Sequence, residues 1–563
     1  MPKWAAAALL AAIVLFFWIA NRGAYKGYFQ DDDLDNLSWT RDAQTSEFLQ
    51  GLVDPRFSKF NFRPAGHWYY RVLGATAKLH YPPYVAVLQL LHIVNIVLLW
   101  RLARRLGATV PATAAAALFF AFHMAAFDAY WRPMYIFDVV CGLFVLLSLH
   151  AYLARRLLLS LGAFWLAYKA KEVAVMLPLV LLAYEGWLGR REWKRLIPFF
   201  AISASFGLQA VFANRGSDSA YTLRFTPQAF LTCLKFYAGK IFLAPFAGFV
   251  LLPALWFVRD RRFRWGAAGL LLLLLPMLFL PGRLFAVYLY VPLIALSLGM
   301  TSLFERLPAP ALIAAMAVWT GVNFNVMRTL RHEALTAAHE NRAYVGEAAR
   351  FFERSPAVQT VVYDGAPRAM HRWGVEATMR LASGRSSIGI VWMNDKQAWQ
   401  ALQGESVAVL SWFAPTQKLF AVTKKPGEPD RAFIRMSMET PVWQLTEGWF
   451  PLESSCRWIR PYASARLWRP AEARAFEMTV NMGKVQLGEM GPPEVEVKIE
   501  GASAGRHTFR QPGWETVRLA APAGAPGAVK VEFVVRPGYR PKNGDPRTLG
   551  VAVVAFGFTQ EAP

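Results

Sequence analysis

Trp4-Ala-Ala-Ala-Ala-Leu-Leu-Ala-Ala-Ile-Val-Leu-Phe-Phe-Trp-Ile-Ala20, followed by Tyr28-Phe-Gln-Asp-Asp-Asp-Leu-Asp-Asn36, is the stretch that decides how this chain is read. The first part is an apolar run of membrane-helix length, and the second sets Asp31, Asp32 and Asp33 side by side just beyond it. Carboxylates packed this tightly beside a membrane face repel one another unless a cation, a positive ligand or a shared proton compensates them. The bland alternative is an acidic loop that solvates a helix end. Acidic residues do little to set topology, so the cluster is the first place to look for chemistry. Lys3 before the apolar run also fits a secretion signal. Phe16-Phe-Trp18 carries the run on to Ala20 without a small-x-small cleavage site, so it reads as a retained first helix.

Composition agrees with a membrane protein: 55% of residues are apolar, 14% aromatic and only 18% charged, and mean hydropathy is +0.26. The net charge of +23 does not point to nucleic acid, because much of the Lys and Arg lies in short clusters between apolar runs, where such clusters signal topology. Three cysteines are too few for a disulfide framework and define no redox compartment.

A membrane-length window gives candidate spans near 4–21, 84–101, 109–127, 135–154, 157–168, 173–188, 196–213, 236–258, 266–281, 284–304 and 310–327, about eleven in all. Between them lie Arg101 to Arg105, Arg155-Arg156, Arg190 to Arg195, Arg259 to Arg264 and Arg306. With these connections in the cytoplasm, every turn obeys the positive-inside rule, and the aspartates fall on the opposite side of the plasma or inner membrane. The same alternation sets Ser217 outside, so a cysteine placed there is expected to be labelled from outside.

An odd number of spans leaves everything after Met327 outside as well. The expected organisation is a transmembrane domain over 1–330, a connector helix (331–356) with a small α/β region up to 440, and a β-sandwich over 441–563. Thr360-Val-Val-Tyr363 and Val407-Ala-Val-Leu-Ser411 bracket a helical stretch in the α/β region. Alternating runs such as Phe476-x-Met478-x-Val480 and Val529-x-Val531-x-Phe533, punctuated by Gly and Pro, carry the sandwich. Its tryptophans, Trp443, Trp449, Trp458, Trp468 and Trp514, either fill its core or stack on sugar rings, which makes the domain carbohydrate-binding-like.

The outer loops hold the remaining candidates. The first loop ends in Asn61-Phe-Arg63-Pro-Ala-Gly-His67-Trp68, and the second, Phe127 to Asp138, carries Arg132 with Asp128 and Asp138. Asp138 lies just inside the fourth span, where an unpaired carboxylate is expensive, so a partner is implied. Lys169-Ala-Lys171-Glu172 caps the short fifth span. Two snorkelling lysines would account for the cations there, but a carboxylate gains nothing from the membrane surface. Arg283 with Tyr288-Leu-Tyr290-Val-Pro292 reads alone as an interfacial anchor. Together these loops bring carboxylates and cations to one face of the membrane, the equipment for a base beside an anion site.

In these residues the chain resembles the GT-C fold, the polyprenyl-phosphate-sugar-dependent membrane glycosyltransferases, especially the branch that includes protein O-mannosyltransferases and their tetratricopeptide-bearing relatives. The resemblance covers residues 1 to about 330. It rests on the acidic pair after the first helix, Phe62-Arg63-Pro64, the spacing from Arg132 to Asp138, Lys171-Glu172 followed by Val-Ala-Val-Met-Leu-Pro178, and Arg283 with Tyr288-Leu-Tyr290-Val-Pro292. The chain departs from the pattern in having three adjacent aspartates and no tetratricopeptide repeats.

The resemblance implies inverting transfer of a sugar, hexosyl or mannosyl in kind, from a polyprenyl-phosphate donor to a protein or glycolipid acceptor outside the cytoplasm. It implies Asp31 or Asp32 as the base and Lys171 and Arg283 at the phosphate, with Glu172 orienting Lys171. It also puts Asp33, Arg63, Arg132, Asp138 and Tyr288 around the substrate. A divalent metal near the acids occurs in some relatives and is left open. The rival from another class is a transporter or flippase of an anionic lipid-linked substrate. Such a protein is expected to show internal repeats and a site near the bilayer midplane, whereas here the charges gather at one outer face.

Overall fold

The structure, a computed structural model, describes residues 3–55, 62–213, 220–542 and 544–561. Asn61 and Ser217 lie outside the described residues, so the labelling expectation at Ser217 has no structural counterpart.

Among the described residues six helices are long and apolar enough to cross a membrane: Lys3–Lys26, Pro82–Arg105, Pro133–Leu153, Arg261–Phe279, Ala286–Phe304 and Ala309–Arg354. The helices Val110–Ala121 and Met124–Trp131, bent by 41° at a short break, are together long and apolar enough for a broken span or a re-entrant loop. Several polar groups at the bend find partners inside the protein, as lipid requires. His123 Nδ1 accepts from Ala125 N–H, its Nε2 contacts Ile241 carbonyl, and Asn323 Oδ1 accepts from Met124 N–H at 2.8 Å. The chain is an integral, multi-pass membrane protein with a β-rich C-terminal region.

Of the eleven expected spans, 157–168, 173–188 and 196–213 correspond to helices too short to qualify, Leu157–Ala170, Leu177–Trp187 and Ile197–Ala213, and two further expectations change. The run 236–258 is broken, because Leu243 and Phe246 adopt positive φ between the helices Pro227–Ile241 and Leu251–Phe257. Hydropathy cannot sense such a break, since the residues that make it are themselves apolar. The last span and the connector at 331–356 are one helix, Ala309–Arg354, of 46 residues. No Gly-Pro stop separates the apolar from the amphipathic half.

The helices Arg261–Phe279 and Ala286–Phe304 meet at Gly266 and Gly299. A Cβ on Gly266 would lie 2.5 Å from Gly299 Cα and 2.6 Å from the Ala295 carbonyl. Small residues at a crossing let two backbones gain dispersion contacts that lipid cannot supply.

Two compact units divide the chain: the residues up to Arg342 with Arg372–Ala377, and Ala343–His371 with the residues from Thr378 onward. The second unit contains both the α/β and the β-rich regions. Strands β1 (Thr360–Asp364), β2 (Gly389–Trp392), β3 (Val407–Phe413) and β4 (Lys418–Lys424) form a sheet of order β2-β1-β3-β4, parallel except for β3–β4. Trp443 packs into this sheet's core beside Val362, Leu402 and Val409.

The larger sheet begins before 441, at β5 (Phe433–Arg435). It continues through β6 (Glu447–Glu453), β7 (Cys456–Arg469), β8 (Ala475–Met482), β9 (Glu494–Ile499), β10 (Ala502–Thr508), β11 (Gly513–Ala520), β12 (Gly527–Arg536) and β13 (Ala552–Thr559). Hydrogen bonds join these nine strands into one antiparallel sheet, with the order β10-β9-β12-β7-β13-β8-β11, β5 beside β13 and β6 beside β7. Register shifts at Ser503/Gly505 and Val553/Ala555 bend it, as bulges do, and bring Gly505 of β10 against Leu519 of β11. The sheet thus curls around one core containing Phe476, Val497, Phe533 and Phe556. Trp449 stacks on Phe556 with its Nε1 on the Ser464 carbonyl, whereas Trp468 and Trp514 are 38% and 60% exposed.

Gly266→Val is expected to lower the thermal unfolding midpoint in detergent, since overpacking costs about 1–3 kcal/mol even where the surroundings can shift. Gly321→Val, on a helix face with nothing within 4 Å, is the matched control and should leave the midpoint unchanged. Equal midpoints for the two variants would show that the crossing is not close-packed.

Candidate functional site

The helix Leu157–Ala170 has 14 residues, a rise of about 21 Å, which is shorter than a hydrocarbon core of about 30 Å. Its end therefore brings charge to membrane depth. Lys171 follows in extended conformation (φ −159°, ψ 142°), and a 3-10 turn, Glu172–Met176, leads to the helix Leu177–Trp187, where Pro178 in the first turn needs no N–H partner. Neighbouring side chains in an extended backbone point apart, and these two reach different partners.

Lys171 Nζ donates to Asp138 Oδ2 at 2.5 Å, with side chains only 11% and 3% exposed. Asp138 thus has the partner that its place in the fourth span demanded, and it sits in the first turn of Ile136–Leu153, where the helix dipole favours an anion. Arg63 Nε and Nη2 form a two-pronged pair with Glu172 at 2.9 and 3.0 Å. Glu172 therefore holds Arg63, while Asp138 takes the part expected of Glu172 at Lys171. Burial works to raise the Glu172 carboxyl, but the Arg63 guanidinium outweighs it and holds the group below its ordinary range. The Lys171 ammonium also lies 4.8 Å from the Tyr288 ring centroid.

Arg283 packs on the rings of Tyr221 and Phe285, 4.3 and 4.6 Å from their centroids, and hydrogen-bonds Tyr288. Its Nε is buried with no hydrogen-bond partner among the described residues. Asp32 lies within electrostatic range of Arg283. Arg132 pairs with Asp128 at 3.2 Å. Tyr135 feels Asp128, Arg132, Asp138 and Asp32 at once, which links the second loop to the aspartates.

The three aspartates open the helix Asp31–Asp42, where a first turn rich in carboxylate complements the dipole. Asp33 is fully buried. Its oxygens accept from Gln30 N–H at 2.9 Å and Tyr70 Oη at 2.8 Å, and with Gln30 it forms a reciprocal capping box. Burial pushes its carboxyl up to about 7, with Asp32 and Asp31 adding to the rise and the two hydrogen bonds opposing it. Asp31 is buried, whereas Asp32 is half-exposed and accepts from Trp373 Nε1 at 2.9 Å.

His67 braces this helix against the next one. Its Nδ1 accepts from Arg63 N–H, so Nε2 donates to Asn36 Oδ1 at 3.0 Å. Burial, reinforced by Arg63, pushes its pKa down to about 3, so it stays neutral. Among the described residues no three His, Cys, Asp or Glu side chains converge in a way that would hold a metal ion, so no step is derived through one.

Sequence reasoning missed Tyr70, Tyr135, Tyr221 and Trp373. An isolated aromatic in a membrane chain carries no pattern separating it from interfacial packing, and only the fold sets these rings against charges.

No family model matches the chain, and no curated protein matches it in sequence. Among solved structures, ArnT from Cupriavidus metallidurans bound to undecaprenyl phosphate is similar, with a TM-score of 0.47 at 15% identity, over 75% of this chain and 98% of that one. The arabinofuranosyltransferase AftD from Mycobacteria gives 0.42 at 12% identity, over 99% of this chain and 61% of that one. The arabinosyltransferase EmbB from Mycobacterium smegmatis gives 0.32 at 13% identity, over 99% and 64%. The roles of the residues rest on the geometry of this chain.

The Asp33 cap makes stability depend on pH. The unfolded group loses its proton near its ordinary value, 3.8, and the folded group near 7, so between these values the folded state holds a proton that the unfolded state has shed. Stability is expected to fall as pH rises through that window and to level off above it. Asp33→Asn should flatten the fall in the unfolding midpoint; a variant with the parental slope would assign the titration elsewhere.

Proposed function

We propose that this chain is a membrane glycosyltransferase that moves a sugar from a polyprenyl-phosphate donor to an acceptor outside the cytoplasm, with inversion at the anomeric carbon. The observation that carries this reading is the convergence of a half-exposed carboxylate, Asp32, with Arg283, Tyr288, Lys171 and Asp138 from segments far apart in sequence. Such a cluster offers a base on one side and an anion site on the other.

In this reading the acceptor hydroxyl or amine attacks the anomeric carbon as Asp32 takes its proton. The bond from that carbon to the phosphate oxygen breaks, and its electron pair leaves with the lipid phosphate. Asp31, expected from the sequence as an equal candidate, is the more buried of the two, which favours Asp32. Arg283 receives the phosphate, because its guanidinium is fixed between the Tyr221 and Phe285 rings and its buried Nε has no hydrogen-bond partner among the described residues. An ammonium has three donors. Asp138 therefore orients Lys171 and leaves it donors for the leaving oxygen, where charge develops in the transition state. Arg63 and Glu172 hold the first loop against the turn that follows Lys171, and Arg132 with Asp128 holds the second loop. The β-rich region supplies no step, and its role is acceptor positioning or support. Sidedness follows the positive-inside reading, with the acid cluster and the C-terminal unit extracytoplasmic.

Asp32→Asn keeps size but removes the proton acceptor. Turnover in a transfer assay with a polyprenyl-phosphate sugar should fall about a hundredfold or more, with normal membrane insertion. Parental turnover in both Asp31→Asn and Asp32→Asn would move the base to Asp128 or Asp138. Arg283→Ala should act on donor use instead, raising KM for the donor about tenfold or more through loss of a charge-assisted contact. An unchanged donor KM in that variant would remove Arg283 from the phosphate.

A further inference from the structure

An open cleft of about 410 Å³ lies on the β-rich region, lined by Phe450, Arg460, Pro461, Pro546, Arg547 and Thr548. The Phe450 ring of β6 is flanked by two guanidiniums, Arg460 at 5.6 Å and Arg547 at 5.2 Å from its centroid. The cleft is built rather than incidental. Arg547 is clamped by Asp545, through Nε at 2.9 Å and Nη2 at 2.7 Å, and by Glu453 at 2.7 Å. Arg457 pins the strand below by donating to the Phe450 carbonyl at 3.1 Å, and paired bonds of 2.7 Å between Tyr539 and Leu549 close the loop that bears Arg547. The charges do not balance evenly. Arg547 is answered by Asp545 and Glu453, whereas Arg460 makes no ion pair among the described residues and rests only on the ring.

We propose that this cleft binds a negatively charged sugar unit, a carboxylate- or phosphate-bearing residue of a glycan. The anion pairs with the Arg460 fork, and the C–H face of the sugar ring lies on Phe450 and the two prolines. A planar fork already seated on an aromatic loses little freedom on meeting an oxyanion. A volume toward the low end of ligand sites, about 300–1,000 Å³, admits one or two sugar rings. Concave walls of ring and proline suit such a unit better than a flat lipid surface. The proposal stands apart from the transfer reading, since none of its residues belongs to the membrane site.

The test is calorimetric titration of the full-length protein, in nanodiscs of zwitterionic lipid, with tri-galacturonic acid, mannose 6-phosphate and neutral maltotriose. At least one acidic probe is expected to bind, about tenfold or more tighter than maltotriose, weakening as salt rises. Arg460→Ala should remove that margin and Arg460→Lys restore part of it. Equal binding of the neutral probe, binding of neither acidic probe, or undiminished binding by a folded Arg460→Ala protein would overturn the proposal. So would loss of acidic-probe binding on adding phosphatidylglycerol to the nanodisc, which would make the cleft a lipid-headgroup contact.

Discussion

Lys171 and Asp138 meet at 2.5 Å in surroundings that leave little of either exposed, and the arrangement of the neighbouring segments of the membrane unit follows from that contact. A charge alone at such depth is expensive, and breaking one partner of a buried pair costs about 3–5 kcal/mol. The short helix Leu157–Ala170, the extended Lys171 and the start of Ile136–Leu153 must therefore stay in register. Once they do, Glu172 faces the other way and captures Arg63 from the first loop. Two ion pairs thus fix three segments against one another, while Arg283, with a buried Nε that lacks a hydrogen-bond partner among the described residues, is held by aromatic rings.

The acidic turn divides its labour in a similar way. Asp33 is spent on the fold, where it accepts the Gln30 amide and the Tyr70 hydroxyl and carries a raised pKa as a result of burial. That cap starts the helix Asp31–Asp42, and the same helix start orients Asp32 toward solvent. A structural carboxylate and a chemically available one can sit side by side because a helical turn rotates successive residues by about 100°.

The second unit spends its aromatics unequally. Trp443 and Trp449 go into the cores of the two sheets, while Trp468, Trp514 and Phe450 remain available at the surface. Curling the nine hydrogen-bonded strands, with β10 against β11, encloses the core. The same curl brings Phe450 of β6 and Arg460 of β7 against a loop nearly ninety residues later in the chain.

The sequence by itself determined the membrane class, most of the spans, some of the strands of each sheet and the identities of the charged residues, because each rests on a local period or on the cost of charge near lipid. The Asp138 partner was demanded by sequence, yet its identity was not, since ion pairing across 33 positions depends on how two helices cross. The same holds for the Arg63–Glu172 pair, for the break at Leu243 and Phe246, and for the fusion of the last span with its connector into one 46-residue helix. Only tertiary structure decided which of three adjacent aspartates is buried as a cap and which stays partly exposed, because side chains of one type differ only in what the fold packs around them.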